Sequence, residues 1–172
     1  MGVIATQIRK HLDPLVKLKL SLARRAADLR NFQFGQIRKV EPRGTVGEYG
    51  LHIQCPWRIE GPDGIVTGRS DLWNPADPDA KVDWDSWDYD KDANLQDTRI
   101  AELLGSPMNV SNRLIVEAVD ADDFGGATIQ LSGGYRLVIF PAGTRGEDWR
   151  IFRPKLDEPH FVVSGGRIEP DE

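Results

Sequence analysis

Nine aspartates stand against two lysines between Asp71 and Asp97, with Trp73, Trp84, Trp87 and Tyr89 among them. Carboxylates at alternate positions are the chemistry of calcium loops. With Asp88 in first place, Asp90 and Asp92 fall on the third and fifth ligand positions. Ala93 then stands where the loop requires glycine, and Arg99 where it requires a bidentate glutamate. The EF-hand pattern therefore fails, and no metal site is assigned to the segment. Two readings fit it. In one, the tryptophans pack onto the domain and the aspartates stay solvated. In the other, Trp73, Trp84, Asp85, Trp87, Asp88 and Tyr89 form a recognition surface. Aromatic residues anchor interfaces, and the acids would steer a basic partner.

A second constellation lies around Cys55 and His52. From Gly50 to Ile59, the residues Leu51, Ile53, Cys55, Trp57 and Ile59 alternate with His52, Gln54, Pro56 and Arg58. That period of two predicts one half-buried strand. Residues three apart in a strand point to opposite faces, so Cys55 and His52 are not a nucleophile and its base. Cys55 shares the apolar side and behaves as a small core residue. His52, Gln54 and Arg58 share the polar side, where a small ligand would be met. Pro56 lacks a ladder donor, which predicts an edge position or a bulge there. No phosphate loop, dinucleotide fingerprint, H-E-x-x-H pair, zinc cysteine pair or nucleophile elbow is present, and no cofactor is implied.

The elements that must position these residues follow from periodicity and turn chemistry. Val3, Ile4, Ile8 and Leu12 are spaced for a short helix, broken at Asp13-Pro14. Residues 14–30 carry both a helical and an alternating pattern, and the alternation favours strands over 16–20 and 28–34. The basic residues Lys17, Lys19, Arg24, Arg25 and Arg30 in this region read as a solvated face. Residues 41–47 read as a loop. Gly61-Pro62-Asp63-Gly64 is a turn that sends Ile65 to Thr67 back antiparallel. Residues 73–92 form a long loop. A helix runs from Asn94 to Leu104, and Gly105 and Pro107 stop it. A meander follows: 113–119, apolar on both faces and central, then 127–131 and 135–140 around Ser132-Gly133-Gly134, then 147–153 and 160–163. Residues 169–172 read as a frayed tail. The expected class is α+β, a mostly antiparallel sheet with two short helices in one domain spanning 1–172.

With 172 residues, 28% charged and a net charge of −5, the chain has the composition of a globular protein rather than a phosphate-tracking one. Its single cysteine permits no internal disulfide, which suits the cytoplasm. No apolar run suffices for a membrane helix, and the charges at Arg9 and Lys10 argue against a signal peptide. Met1 to Thr6 matches an N-myristoylation pattern, read as a chance match or a glycine introduced in cloning, and Asn109-Val110-Ser111 matches a glycosylation acceptor that has no meaning without secretion.

The phrases Asn31-Phe32-Gln33-Phe34-Gly35, Leu51 to Ile59, Gly68-Arg69-Ser70-Asp71-Leu72-Trp73, Trp149-Arg150-Ile151-Phe152 and His160-Phe161-Val162-Val163 resemble small bacterial proteins of uncharacterised activity. In size and charge the chain is loosely similar to toxin-immunity proteins. The resemblance brings no characterised activity with it. The Trp73–Asp92 loop suggests a non-enzymatic, immunity- or chaperone-like domain that binds a basic protein, while charge and hydropathy argue against nucleic acid and membrane. Two further readings stay open: a metal-dependent enzyme using aspartates of the 71–97 loop with His52, and a small-molecule carrier using the concave face of the sheet.

Overall fold

The structure is a computed structural model and describes residues 2–105 and 114–170. The acceptor pattern at 109–111, the Pro107 stop and the first residue of the expected strand at 113 lie outside these residues.

Helix α1 (Val3–Leu12) forms where the apolar spacing places it, and buries Ala5, Ile8 and Leu12. The first-turn amide of Ala5 donates to Asp123 Oδ1 at 3.0 Å, an acceptor from a distant loop for one of the N–H groups a helix start leaves open. Pro14 shapes a 3-10 turn over Asp13–Leu15. Lys17 then takes φ +75°, a left-handed conformation that breaks an extended run. The expected strand over 16–20 therefore starts only at Leu20.

Thirteen strands follow in the described residues: β1 (Leu20–Ala26), β2 (Leu29–Phe34), β3 (Arg38–Lys39), β4 (Thr45–Val46), β5 (Tyr49–Ile53), β6 (Trp57–Gly61), β7 (Gly64–Gly68), β8 (Val116–Ala121), β9 (Ala127–Leu131), β10 (Tyr135–Ile139), β11 (Glu147–Phe152), β12 (Phe161–Ser164) and β13 (Arg167–Ile168). A 3-10 turn over Arg69–Trp73 and helix α2 (Leu95–Gly105) separate β7 from β8. The class is α+β with antiparallel sheets. One sheet has six strands in the order β1-β2-β5-β11-β12-β13, a second has five in the order β7-β6-β10-β9-β8, and β3 pairs with β4 alone.

The two large sheets bury their inner faces in one core. Phe32, Leu51, Trp149, Ile151 and Val163 come from the first; Trp57, Ile59, Ile129, Leu137 and Ile139 come from the second. Phe32 meets Trp57 edge to face, with centroids 5.3 Å apart. Such pairs add about 0.5–1.5 kcal/mol beyond their buried area. The sheets are also stitched along one side. Lys17 N–H donates to Val116 O (2.8 Å), Val116 N–H to Leu18 O (2.8 Å) and Leu20 N–H to Leu114 O (2.9 Å).

Several expectations are corrected. The run from Gly50 to Ile59 is two strands in two sheets, β5 and β6, separated at residues 54–56. The amides of Gln54 and Cys55 both turn to Asp148 O, at 2.8 and 3.1 Å, and Pro56 has no amide to extend a ladder. The alternation nevertheless survives the break: Leu51, Ile53, Cys55, Trp57 and Ile59 are all buried. Strand β8 is the last strand of its sheet rather than a central one; α1 packs against it, and the 17–20 segment hydrogen-bonds to its outer edge. Part of the expected loop at 41–47 is β4, paired to β3. Glu169 is tied down, its amide bonded to Val162 O at 3.0 Å and its carboxylate to Ser164 Oγ. Arg30 is not on a solvated face, being 2% exposed.

Candidate functional site

Three arginines flank the loop from 74 to 94, and Arg25 alone of them reaches into it. Arg25 and Arg30, from the β1–β2 pair, converge on Asp97 in the first turn of α2. Arg25 Nη2 lies 3.0 Å from Asp97 Oδ2, and Arg30 Nη2 lies 2.6 Å from Asp97 Oδ1. Arg25 Nη1 also reaches Asp90 Oδ1 at 2.7 Å, and its guanidinium lies 5.7 Å from the Tyr89 ring centroid. Arg69 bonds Asp28 at 2.9 Å and lies 5.2 Å from the Trp73 ring centroid. Burial alone would raise the Asp97 carboxyl, but donation from Arg25, Arg30 and Asn94 outweighs it and holds the group below the usual carboxylate range.

The helix start completes this clamp. Asn94 Oδ1 accepts the Asp97 amide and Asn94 Nδ2 donates back to Asp97 Oδ2, both at 2.8 Å, a reciprocal cap. Asn94 Nδ2 also donates to Tyr89 O at 2.9 Å. Gln96 is 1% exposed. Its carbonyl accepts from Arg30 and its amide donates to Gly68 O at 3.0 Å, which ties α2 to β2 and β7 at once. Burial pulls the Arg30 guanidinium below its usual range against the support of Asp97. Arg25, Arg30, Arg69 and Gln96 are the residues sequence reasoning missed. The Asn94-x-x-Asp97 spacing was the available signal, since it is a capping pattern.

The aspartates in the loop shape its turns. Asp77 Oδ1 accepts from Asp79 N–H (2.9 Å), Asp83 Oδ1 from Asp85 N–H (3.1 Å), Asp88 Oδ1 from Asp90 N–H (2.9 Å) and Asp92 Oδ2 from Asp88 N–H (2.8 Å). The first three are Asx turns and account for the two-residue spacing that imitates a calcium loop; the fourth reaches back four residues and closes the Asp88–Asp92 turn. The amide of Asp90, and then Lys91, lower the Asp88 carboxyl. Among the described residues, no three His, Cys, Asp or Glu side chains are grouped to hold an ion.

The six loop residues divide in two. Trp73 and Tyr89 lie under arginines at the base, with ring centroids 6.2 Å apart. Trp84 and Trp87 form an edge-to-face pair at 5.8 Å farther along, with Trp84 65% exposed and Trp87 half-buried. Asp85 is exposed and Asp88 half-buried.

His52, Gln54 and Arg58 do not share one surface. Arg58 belongs to the five-stranded sheet, where its guanidinium bonds Glu60 at 2.7 Å. His52 and Gln54 lie with β11. In the six-stranded sheet, Asn31, His52 and Arg150 are aligned across β2, β5 and β11. His52 meets the Phe152 ring edge-on at 4.6 Å, and His160 stacks on that ring at 4.7 Å. Gly50 makes room for it, because a Cβ there would lie 2.7 Å from the Phe152 ring. Arg150 is paired with Glu147 and donates to His160 Nδ1 at 3.2 Å.

Burial, then the Arg150 guanidinium, hold the His52 ring below its ordinary value, with Glu147 opposing and His160 reinforcing the shift. The neutral ring is therefore favoured in the fold. Its contribution to stability is present above the unfolded pKa of about 6.5 and is lost as pH falls through the lowered folded value. NMR titration of the His52 ring is expected to give a midpoint below that of an unfolded reference. In His52→Gln, the slope of stability against pH over that window should flatten.

Cys55 is buried, and burial, then Asp148, push its thiol up to about 12. A group so protonated is no nucleophile at neutral pH.

No helix among the described residues is long and apolar enough to cross a membrane. In comparison with known proteins, the chain matches no family model, no curated relative and no solved structure.

Proposed function

We propose that this chain is a protein-binding domain whose acidic, tryptophan-bearing loop recognises a basic partner. The observation that carries this reading is the state of Trp84. It is 65% exposed on a loop whose base is tied to the domain by Arg25 through Asp90 and Tyr89, and whose turns are held by its own aspartates. A large apolar ring held in water on an ordered platform costs little further entropy when a partner covers it. Around it, nine aspartates oppose two lysines, so the segment carries more negative charge than the net −5 of the chain. Complementary charge selects a basic partner and speeds its approach. A basic toxin is one such partner, in keeping with the resemblance to immunity proteins.

Trp84→Ala is expected to weaken partner capture at least about thirtyfold, the effect of removing an interface anchor worth roughly 2 kcal/mol. The melting temperature should stay unchanged, because the side chain is mostly exposed. Isothermal titration with a partner recovered from the host measures the first, and a thermal melt the second. A variant that binds as the wild type, or that loses its fold, rejects the reading.

A further inference from the structure

A pocket of about 220 Å3 opens where the last turn of α1 meets the start of β5, the end of β11 and the start of β12. Alternation puts Tyr49 on the inner face of β5 with Leu51, and the buried Ile151 and Phe161 line the pocket beside it. Two stacks of planar groups belong to its wall. In one, the His11 ring lies flat on the Phe161 ring, with centroids 4.0 Å and planes 14° apart. The imidazole is fixed by donation from Nδ1–H to Gln7 O at 2.9 Å. In the other, the Arg153 guanidinium lies over the Tyr49 ring, 5.8 Å from its centroid.

The charged groups of the lining are open to water. Lys10 is exposed and has no ion-pair partner among the described residues. Arg153 meets one carboxylate, Glu158, across 3.5 Å, with the two side chains 48% and 49% exposed. A firm charge-assisted bond is shorter, about 2.7–2.9 Å, and a pair so exposed is weak. Two cations therefore face one loosely held carboxylate, and the lining carries one positive charge in excess. Ring faces beside unmatched, accessible cations complement a ligand that is planar and anionic.

We propose that this pocket binds a small aromatic carboxylate. Its ring packs against His11, Tyr49 and Ile151, and its carboxylate accepts from Lys10 and from Arg153, which Glu158 holds only weakly. Ligand pockets for larger molecules run from about 300 Å3 upward, so this one takes a single ring. The site shares no residue with the loop that carries Trp84.

The test is titration of the full chain with benzoate, followed by the backbone amide resonances of Tyr49 and Phe161 and by the melting temperature. Saturable shifts are expected, with stabilisation that grows with benzoate concentration. Benzamide, which keeps the ring and lacks the charge, should bind at least about tenfold more weakly. Cyclohexanecarboxylate, which keeps the charge and lacks the flat ring, should also bind more weakly than benzoate. Lys10→Met and Arg153→Met should each weaken benzoate about three- to fivefold, the range of an exposed charge contact. Both side chains are exposed, so neither change should move the melt of the free protein. Trp84→Ala should bind benzoate as the wild type does, which separates this site from the partner surface. Absence of a saturable shift, benzamide or cyclohexanecarboxylate binding as tightly as benzoate, or full affinity in the Lys10→Met, Arg153→Met double variant would overturn the proposal.

Discussion

Asp97→Asn is expected to lower the stability of the domain by about 2–4 kcal/mol. Asp97 is the carboxylate shared by Arg25 and Arg30, and the Arg30 side chain is 3% exposed. Removing one partner of a buried pair typically costs about 3–5 kcal/mol, because the remaining charge is stranded. The Asp97 side chain is itself 39% exposed, so water screens part of the loss and the lower range applies. Asparagine keeps the volume and a carbonyl for the cap, which confines the change to charge. Urea unfolding should show an earlier midpoint with an unchanged slope. A loss under about 1 kcal/mol would mean that Gln96 alone satisfies Arg30. The pH dependence gives a second reading. The Asp97 carboxyl is depressed in the fold, so its contribution is present above the unfolded value of about 3.9 and is lost as pH falls through the folded one. The variant should lack that part of the acid limb.

Trp149→Ala is expected to cost about 3–5 kcal/mol, the range for emptying a buried aromatic site. Trp149 is fully buried in β11, between β5 and β12, with its ring 5.9 Å from that of Phe161. Its indole N–H donates to Gly125 O at 2.8 Å. The side chain thus fills the core and also fixes the 122–126 loop, whose Asp123 receives the first turn of α1. Trp149→Phe separates the two roles. It keeps most of the packing but leaves the Gly125 carbonyl without this donor, for a loss of about 1–3 kcal/mol. Thermal melts of the two variants should fall in that order, and a Phe variant as unstable as the Ala one would place the energy in the hydrogen bond.

Where local chemistry decides the structure, the sequence was readable. Helix α1, the Pro62-Asp63 turn, the hairpin around Ser132–Gly134 and the Asn94 cap each follow from residues within one or two turns of each other. The inward row from Leu51 to Ile59 was also correct in parity, because burial selects every second side chain on either side of a break. What could not be read depends on distant residues. Lys17 adopts a positive φ where the 3-10 turn ends and its own amide, Leu18 and Leu20 turn to bond residues 114–116. The strand is divided at residues 54–56 because Asp148 O takes two amides there. Arg30 is buried because Gln96 and Asp97, over sixty positions away, meet its guanidinium. At the candidate loop, composition identified Trp84 and the acids, while Arg25, which holds its base, lay in a stretch that reads as solvent-facing.

The path of the chain from one sheet into the other has a consequence for its synthesis. Strand β5 pairs with β11, and the adjoining β6 with β10, so each sheet joins a strand from before residue 62 to residues emerging after 134. On a ribosome, neither sheet can close around its central strands until that late segment is out, and Trp149 arrives among the last large pieces of the core. The early strands must wait with one edge unpaired. Folding should therefore be slow for the length, as long sequence separations dictate, and the nascent chain is most open to capture by chaperones in that interval.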